Sequence, residues 1–178
     1  MQNLMKKTVL IAAILTAVVL SGCLLVSGTF VIVKTFTFDT QNSFYHDPVD
    51  ITTEGDWKSH KDEIDNIDLV GFELWINNKD SATSITFNAY LDSLRTTPYS
   101  TPGDVAAHAT KVLDNLTVLP GKNHVSYGSS FKYLTNVDVL KKLVKGGTFD
   151  YYGTATPVTT HGFKVDSARI IVTFTGGK

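Results

Sequence analysis

Apolar and polar residues alternate along two segments near the middle of the chain, and this alternation is what most restricts the fold. Every second position is apolar in residues 67–77 (Val70, Phe72, Leu74, Ile76) and in residues 84–94 (Ile85, Phe87, Ala89, Leu91). Successive side chains of a β-strand point to opposite faces, so a period of two predicts a strand with one buried face. Both segments are therefore predicted to be strands that pack on one side.

Five further segments carry strand signals: residues 28–39, 109–119, 122–133, 147–158 and 163–175. About seven strands predict a mainly β fold, an immunoglobulin-like antiparallel β-sandwich. Two short helices are also expected, at residues 57–65 and 135–145, the second capped by Thr135 and ended by Gly146. Residues 94–104 hold two prolines and a glycine, which predicts a long loop that covers an edge or a pocket.

The two central strands are predicted to form a hairpin, because residues 77–81 between them are turn-forming. Pairing Ile76 with Ile85 places Tyr90 opposite Gly71, where a ring can cover the bare backbone, and Trp75 on the same outer face. Exposed aromatic pairs on sandwiches are typical of carbohydrate-binding modules, so Trp75 and Tyr90 are candidate ligand-binding residues. The alternative is that another part of the chain covers this face.

The start of the chain has the layout of a secretory signal. Met5-Lys6-Lys7 forms a positive head, and residues 8–20 are uncharged and mostly apolar. Two small residues then precede Cys23, the only cysteine. A basic head, an apolar middle and small residues at the cleavage site together predict export.

The sequence Leu20-Ser21-Gly22-Cys23 resembles the lipobox of bacterial lipoproteins. The resemblance implies cleavage before Cys23, a diacylglyceryl group on its thiol and an acylated new amino terminus. Residues 1–22 are then a lipoprotein signal peptide, and residues 23–178 form a single β-sandwich domain. Leu24, where inner-membrane lipoproteins usually carry Asp, implies the outer membrane if the host is Gram-negative.

Two alternatives to lipidation stay open. In one, Cys23 is an ordinary thiol and the signal is simply cleaved. In the other, residues 8–33 remain as an uncleaved anchor, since about 26 uncharged residues are long enough to cross a bilayer of about 30 Å.

Charge is unevenly distributed along the chain. Residues 38–104 contain 13 acidic and 4 basic residues, whereas residues 105–178 contain 4 acidic and 9 basic ones. We expect the two halves to fold onto one another and pair charges, with a two-signed surface facing a partner or a cation as the alternative. No basic stripe interleaves with aromatic residues, so no nucleic-acid partner is expected.

No motif for catalysis, metal binding or phosphate binding is evident. The five histidines form neither a His-x-His nor a His-Glu-x-x-His arrangement, and there is no Gly-x-Ser-x-Gly elbow. We therefore expect no catalytic residues, no cofactor and no metal. A hydrolase whose site is assembled from distant residues remains an alternative, as does calcium held by the acidic residues between Asp62 and Asp68.

The order of elements from residue 67 to residue 175 is similar to the water-stress sandwich domain of late-embryogenesis-abundant proteins, which also occurs in bacterial lipoproteins. The layout rests on a strand ending in Ile76-Asn77-Asn78, a hairpin around Leu119-Pro120-Gly121-Lys122, a helix, and a strand from Gly147 to Gly153. The resemblance implies a binding or protective role and no catalytic residues.

These observations predict a non-catalytic cell-envelope lipoprotein that acts as a binding or structural module. Its expected partners are the membrane, through lipid on Cys23, and an envelope protein or a glycan. A carbohydrate-binding module that uses Trp75 and Tyr90, and an envelope hydrolase with a dispersed site, are the alternatives.

Overall fold

The computed structural model describes residues 26–34, 38–40, 44–62, 66–157 and 162–176. These residues form nine strands: β1 (Val26–Lys34), β2 (Phe38–Thr40), β3 (Phe44–Asp50), β4 (Asn66–Asn78), β5 (Ile85–Ser93), β6 (Thr110–Val118), β7 (Gly121–Val125), β8 (Thr148–Thr156) and β9 (Phe163–Gly176). They also form the short helices α1 (Gly55–His60), α2 (Pro102–His108), α3 (Tyr127–Ser130) and α4 (Val137–Gly146), and a 3-10 turn at Phe131–Tyr133.

The strands form two antiparallel sheets. Sheet I has the order β1-β9-β4-β7, with β2 also paired to β9, and sheet II has the order β3-β8-β5-β6. The predicted fold class, a mainly β antiparallel sandwich, is confirmed. Within the described ranges, none of the helices combines the length and the apolar content that a bilayer crossing requires.

The apolar faces predicted in the two central strands form the sandwich interior. Val70, Leu74 and Ile76 of β4 are buried, as are the four alternating apolar residues of β5. Phe72 is half-buried and packs against the same core. Burying these side chains between two sheets supplies the main stabilisation, at roughly 25 cal/mol per Å² of apolar surface.

The predicted hairpin of β4 and β5 is wrong, because the two strands belong to different sheets. The turn-forming residues do make a turn, but it carries the chain from sheet I to sheet II. Asn78 is 1% exposed, and its side-chain amide donates to the carbonyls of Thr83 (2.8 Å) and Val118 (3.3 Å). Asp80 accepts from the backbone N–H groups of Ala82 and Thr83, which closes the turn. These bonds direct the chain towards β6 of the opposite sheet.

The segment predicted as one strand over residues 122–133 is a strand only as far as Val125. The hairpin predicted around residues 119–122 is also wrong, because β6 belongs to sheet II and β7 to sheet I. Ser126 then caps α3 by accepting from the N–H of Ser129. Ser130 is buried, and its hydroxyl accepts from the N–H of Phe72 at 3.2 Å. Helix α3 therefore covers the edge of β4 where β7, which pairs with residues 74–78, does not reach.

Helix α4 lies at one end of the sandwich and closes it. It is anchored to sheet I, where the Lys141 ammonium donates to the Asp68 carbonyl at 2.6 Å. It ends at Gly146, and the C-cap Gly147 has a φ of +81°, which suits glycine. Its first boundary differs from prediction: Asn136, not Thr135, is the N-cap, with φ +47° and no capping bond. The Asn136 amide instead donates to the Lys111 carbonyl of β6, which ties the helix to sheet II.

Candidate functional site

The predicted ligand-binding pair is not brought together. Trp75 lies on the outer face of sheet I, whereas Tyr90 lies on the outer face of sheet II and is 7% exposed. Tyr90 therefore does not face Gly71. The ring that covers Gly71 belongs to Tyr127, whose Cε2 lies 2.4 Å from where a Cβ on that glycine would be.

Trp75 is half-buried, with both sides of its indole ring flanked by side chains. Strand β4 runs between β7 and β9, which supply His124 (ring centroids 4.7 Å apart) and Arg169 (guanidinium 4.8 Å from the ring centroid). Glu73 accepts from both, from His124 Nε2 at 2.8 Å and from Arg169 Nη1 at 3.2 Å. A sugar could stack on Trp75 only after one of these neighbours moved.

Residues 94–109, which we call the strap, fold back over the outer face of sheet II. Beneath them lies a row of side chains formed by cross-strand pairs of all four strands: His46, Tyr152, Tyr90 and Lys111. Val105 of α2 is fully buried in a small apolar cluster with Tyr90 and Tyr152, and Phe44 and Tyr99 pack against it. The long loop predicted at residues 94–104 is thus the first part of a cover, and α2 within it was not predicted.

Two carboxylates of opposing strands hold the strap in place. Asp150 and Asp92 are directly paired across β8 and β5. Like charges in such a position repel unless each finds donors. Asp150 is 1% exposed and accepts from His46 Nε2 and from the backbone N–H of Arg95, each at 2.8 Å. Asp92 accepts from the Tyr99 hydroxyl at 3.1 Å and from Arg95 Nη1 at 3.4 Å. The hydrogen bonds of Arg95 and Tyr99 therefore attach the strap to β8 and β5 of sheet II.

Tyr99 makes several of the contacts that hold the strap together and attach it to sheet II. Its backbone N–H donates to the Tyr152 hydroxyl at 3.3 Å, and the Arg95 guanidinium lies 4.4 Å from its ring centroid. Desolvation, followed by the hydrogen bond to Asp92, raises the pKa of Tyr99. The His108 ring stacks on Tyr99 at 5.6 Å, while its Nδ1 donates to the Asp104 carbonyl.

Three histidines have roles that are visible in the structure. His46, His108 and His124 each donate a ring N–H to a carboxylate or a carbonyl, and each packs against an aromatic ring, tilted for His46 and stacked for the other two. In the part of the chain that the structure describes, no three His, Cys, Asp or Glu side chains are grouped to hold a metal ion. Cys23, the predicted lipidation residue, and two residues of the acidic cluster, Glu63 and Asp65, lie outside the described residues.

An apolar cavity of about 90 Å³ lies between the sheets below α4. Six of its fourteen lining residues belong to the two predicted apolar faces, among them Val70 and Phe72 of β4 and Phe87 and Ala89 of β5, and Leu140 of α4 contributes as well. The cavity was not predicted, because alternation identifies an inner face but not how well two faces fill the space between them.

Tyr151 is the single residue with a polar side-chain group among the described residues that line the cavity. Burial, followed by the neighbouring Tyr45, raises the pKa of Tyr151. Tyr45 in turn is hydrogen-bonded to Asp47, and desolvation together with that carboxylate raises the pKa of Tyr45 to about 12. Asp47 lies directly opposite Tyr151 across β3 and β8, so one side of the cavity has a negative charge nearby.

No protein-family model matches the sequence, and a search of curated proteins returns no significant match.

Proposed function

We propose that this protein is a non-catalytic lipoprotein of the cell envelope, a binding or structural module held at the membrane by lipid on Cys23. In a Gram-negative host the membrane is the outer one. The water-stress sandwich domain, which the order of elements resembles, implies the same kind of role.

The proposal rests on the position of the first strand, which begins close to Cys23. Strand β1 begins at Val26, three positions after Cys23, and pairs with β9 from its first residue to its last. A lipid on Cys23 is then followed almost at once by the sandwich, with no linker to hold the body away from the bilayer. This arrangement suits a module that works at the membrane surface.

The contacts of the histidines support a non-catalytic role. A hydrolase needs a base whose acceptor nitrogen faces a nucleophile within a cleft. His46 and His124 instead connect neighbouring strands, and His108 packs within the strap. The buried Asp150 has a donor on each oxygen, from β3 and from the strap, which is the pattern of a structural carboxylate.

Intact mass and membrane fractionation of the native protein beside a Cys23→Ala variant test the proposal. We expect a mass equal to residues 23–178 plus acyl chains, and recovery in the membrane fraction. The substitution should remove both the acyl mass and the membrane association. Cys23→Ser, which keeps the size of the side chain, is the matched control for a loss of folding.

A full-length mass without lipid would instead favour an uncleaved anchor. A mass of residues 23–178 without acyl chains would favour a plain exported protein. Either result would overturn the proposal.

A further inference from the structure

We propose that the cavity between the two sheets binds a small, uncharged apolar group, such as a short hydrocarbon. This inference goes beyond the proposed function and does not depend on lipid on Cys23. It rests on the composition of the cavity walls, on the polar groups beside one wall, and on the exposure of part of the lining.

The walls exclude water as the resident occupant. A buried water needs two to four polar partners, and a cavity lined by aliphatic and aromatic side chains stays dry. Tyr151 alone among the described lining residues offers a polar atom. An apolar occupant restores the van der Waals contacts that the facing side chains lose across the gap.

The polar groups beside Tyr151 select against an anion. Asp47 lies directly opposite Tyr151 across β3 and β8, so its charge is near this side of the cavity. An anionic ligand would place its charge near this carboxylate and leave it without a cation in an apolar space. An uncharged hydrocarbon has no such cost.

The size of the cavity limits the ligand. Apolar cavities of about 150 Å³ in other proteins bind benzene or xenon, and the volume here is about 90 Å³. Xenon therefore fits without rearrangement, and benzene needs a small outward shift of the walls. Phe72, Leu134 and Ile170 are half-buried rather than buried, so this part of the lining is closest to the surface and is where we expect a ligand to enter.

Methyl NMR spectra of the full chain in lipid nanodiscs, recorded with xenon and then with benzene, test the proposal. We expect saturable shifts at the methyl groups of Val70, Leu113 and Leu140, all of which line the cavity. Benzene should bind with a dissociation constant on the order of 1 mM. Benzoate, which has the same ring and a charge, should shift these methyl groups at least tenfold less at equal concentration.

Two substitutions that change the cavity and one that does not complete the test. Ala89→Leu fills the space and should weaken benzene binding at least tenfold, whereas Ala106→Leu, the same change at an exposed position of α2, should leave it unchanged. If Ala89→Leu does not fold, Leu140→Ala serves instead, and the enlarged cavity should bind benzene at least threefold more tightly.

Three results would each overturn the proposal. The first is the absence of saturable methyl shifts in the folded wild-type protein. The second is equal binding by wild type and the cavity variants. The third is benzoate binding as tight as benzene binding, which would remove the preference for an uncharged ligand.

Discussion

Single residues determine where the segments that connect the strands pack against the sheets. Gly71 is buried in β4, and the space that a side chain would need there is filled by the Tyr127 ring of α3. A ring does cover the bare backbone at Gly71, as predicted, but it is the ring of Tyr127 and not that of Tyr90. Tyr127 is 56 positions away, and no local pattern connects the two residues.

We expect Gly71→Ala to destabilise the protein by about 1–3 kcal/mol. The added Cβ would lie 2.4 Å and 2.7 Å from two carbons of the Tyr127 ring, so α3 must move away from the sheet. Chemical denaturation measures the free energy of unfolding.

The Tyr127→Ala variant and the double variant complete a thermodynamic cycle for this contact. Once the ring is gone, Gly71→Ala should cost at least 1 kcal/mol less than it does in the wild-type protein. Strictly additive effects would show that the cost at Gly71 does not come from this contact.

At the scale of elements, the sequence predicted which face of a strand is buried, but it did not predict which strands pair with one another. The inner faces of β4 and β5 follow from alternation alone, whereas their assignment to separate sheets depends on Asn78 and its bond to Val118 forty positions away. Strand β3 was missed altogether. It is an edge strand that contains Pro48. Proline lowers the strand propensity of a segment, so the strand was not predicted. At an edge, an exposed proline also protects against pairing with another strand.

The strap is the other element that the sequence did not place. Its contact residue Asp150 is 55 positions from Arg95 and 104 positions from His46, so their association is visible only in three dimensions. The start of α2 does have a local sequence signal that the prediction did not use. Thr101 is the N-cap, whose side chain accepts from the Asp104 N–H, and Pro102 is the first residue of the helix.

We expect Asp150→Ala to loosen the strap and to cost about 1–3 kcal/mol, because it leaves the backbone N–H of Arg95 and the ring N–H of His46 without their acceptor. Amide hydrogen exchange of residues 95–109 should speed up more than exchange in β4. Asp166→Ala, which breaks an exposed pair with Lys164, is the matched control and should cost under about 1 kcal/mol. Equal costs for the two variants, or unchanged exchange in the strap, would contradict a fastening role for Asp150.

At the scale of the whole molecule, the sandwich has two distinct ends. Val26 of β1 pairs with Gly176, and Asn66 of β4 pairs with Thr175, so the start of β1 and the start of β4 lie together. Lys141 bonds Asp68, so α4 lies at this end too. The connection after Asn78 is at the opposite end, roughly 40 Å away at about 3.3 Å per residue of strand.

Lipid on Cys23 would therefore place α4 beside the bilayer and the connection after β4 away from it. Spin labels on Lys142→Cys and Ser81→Cys, both exposed positions, measure this with a nickel chelate carried on the lipid headgroups. The label at position 142 should collide with the chelate several-fold more often than the label at position 81. The parent protein should take no label if its one thiol carries the proposed lipid. Equal collision rates would mean that the body tumbles freely on its anchor, and more collisions at position 81 would mean that the opposite end faces the membrane.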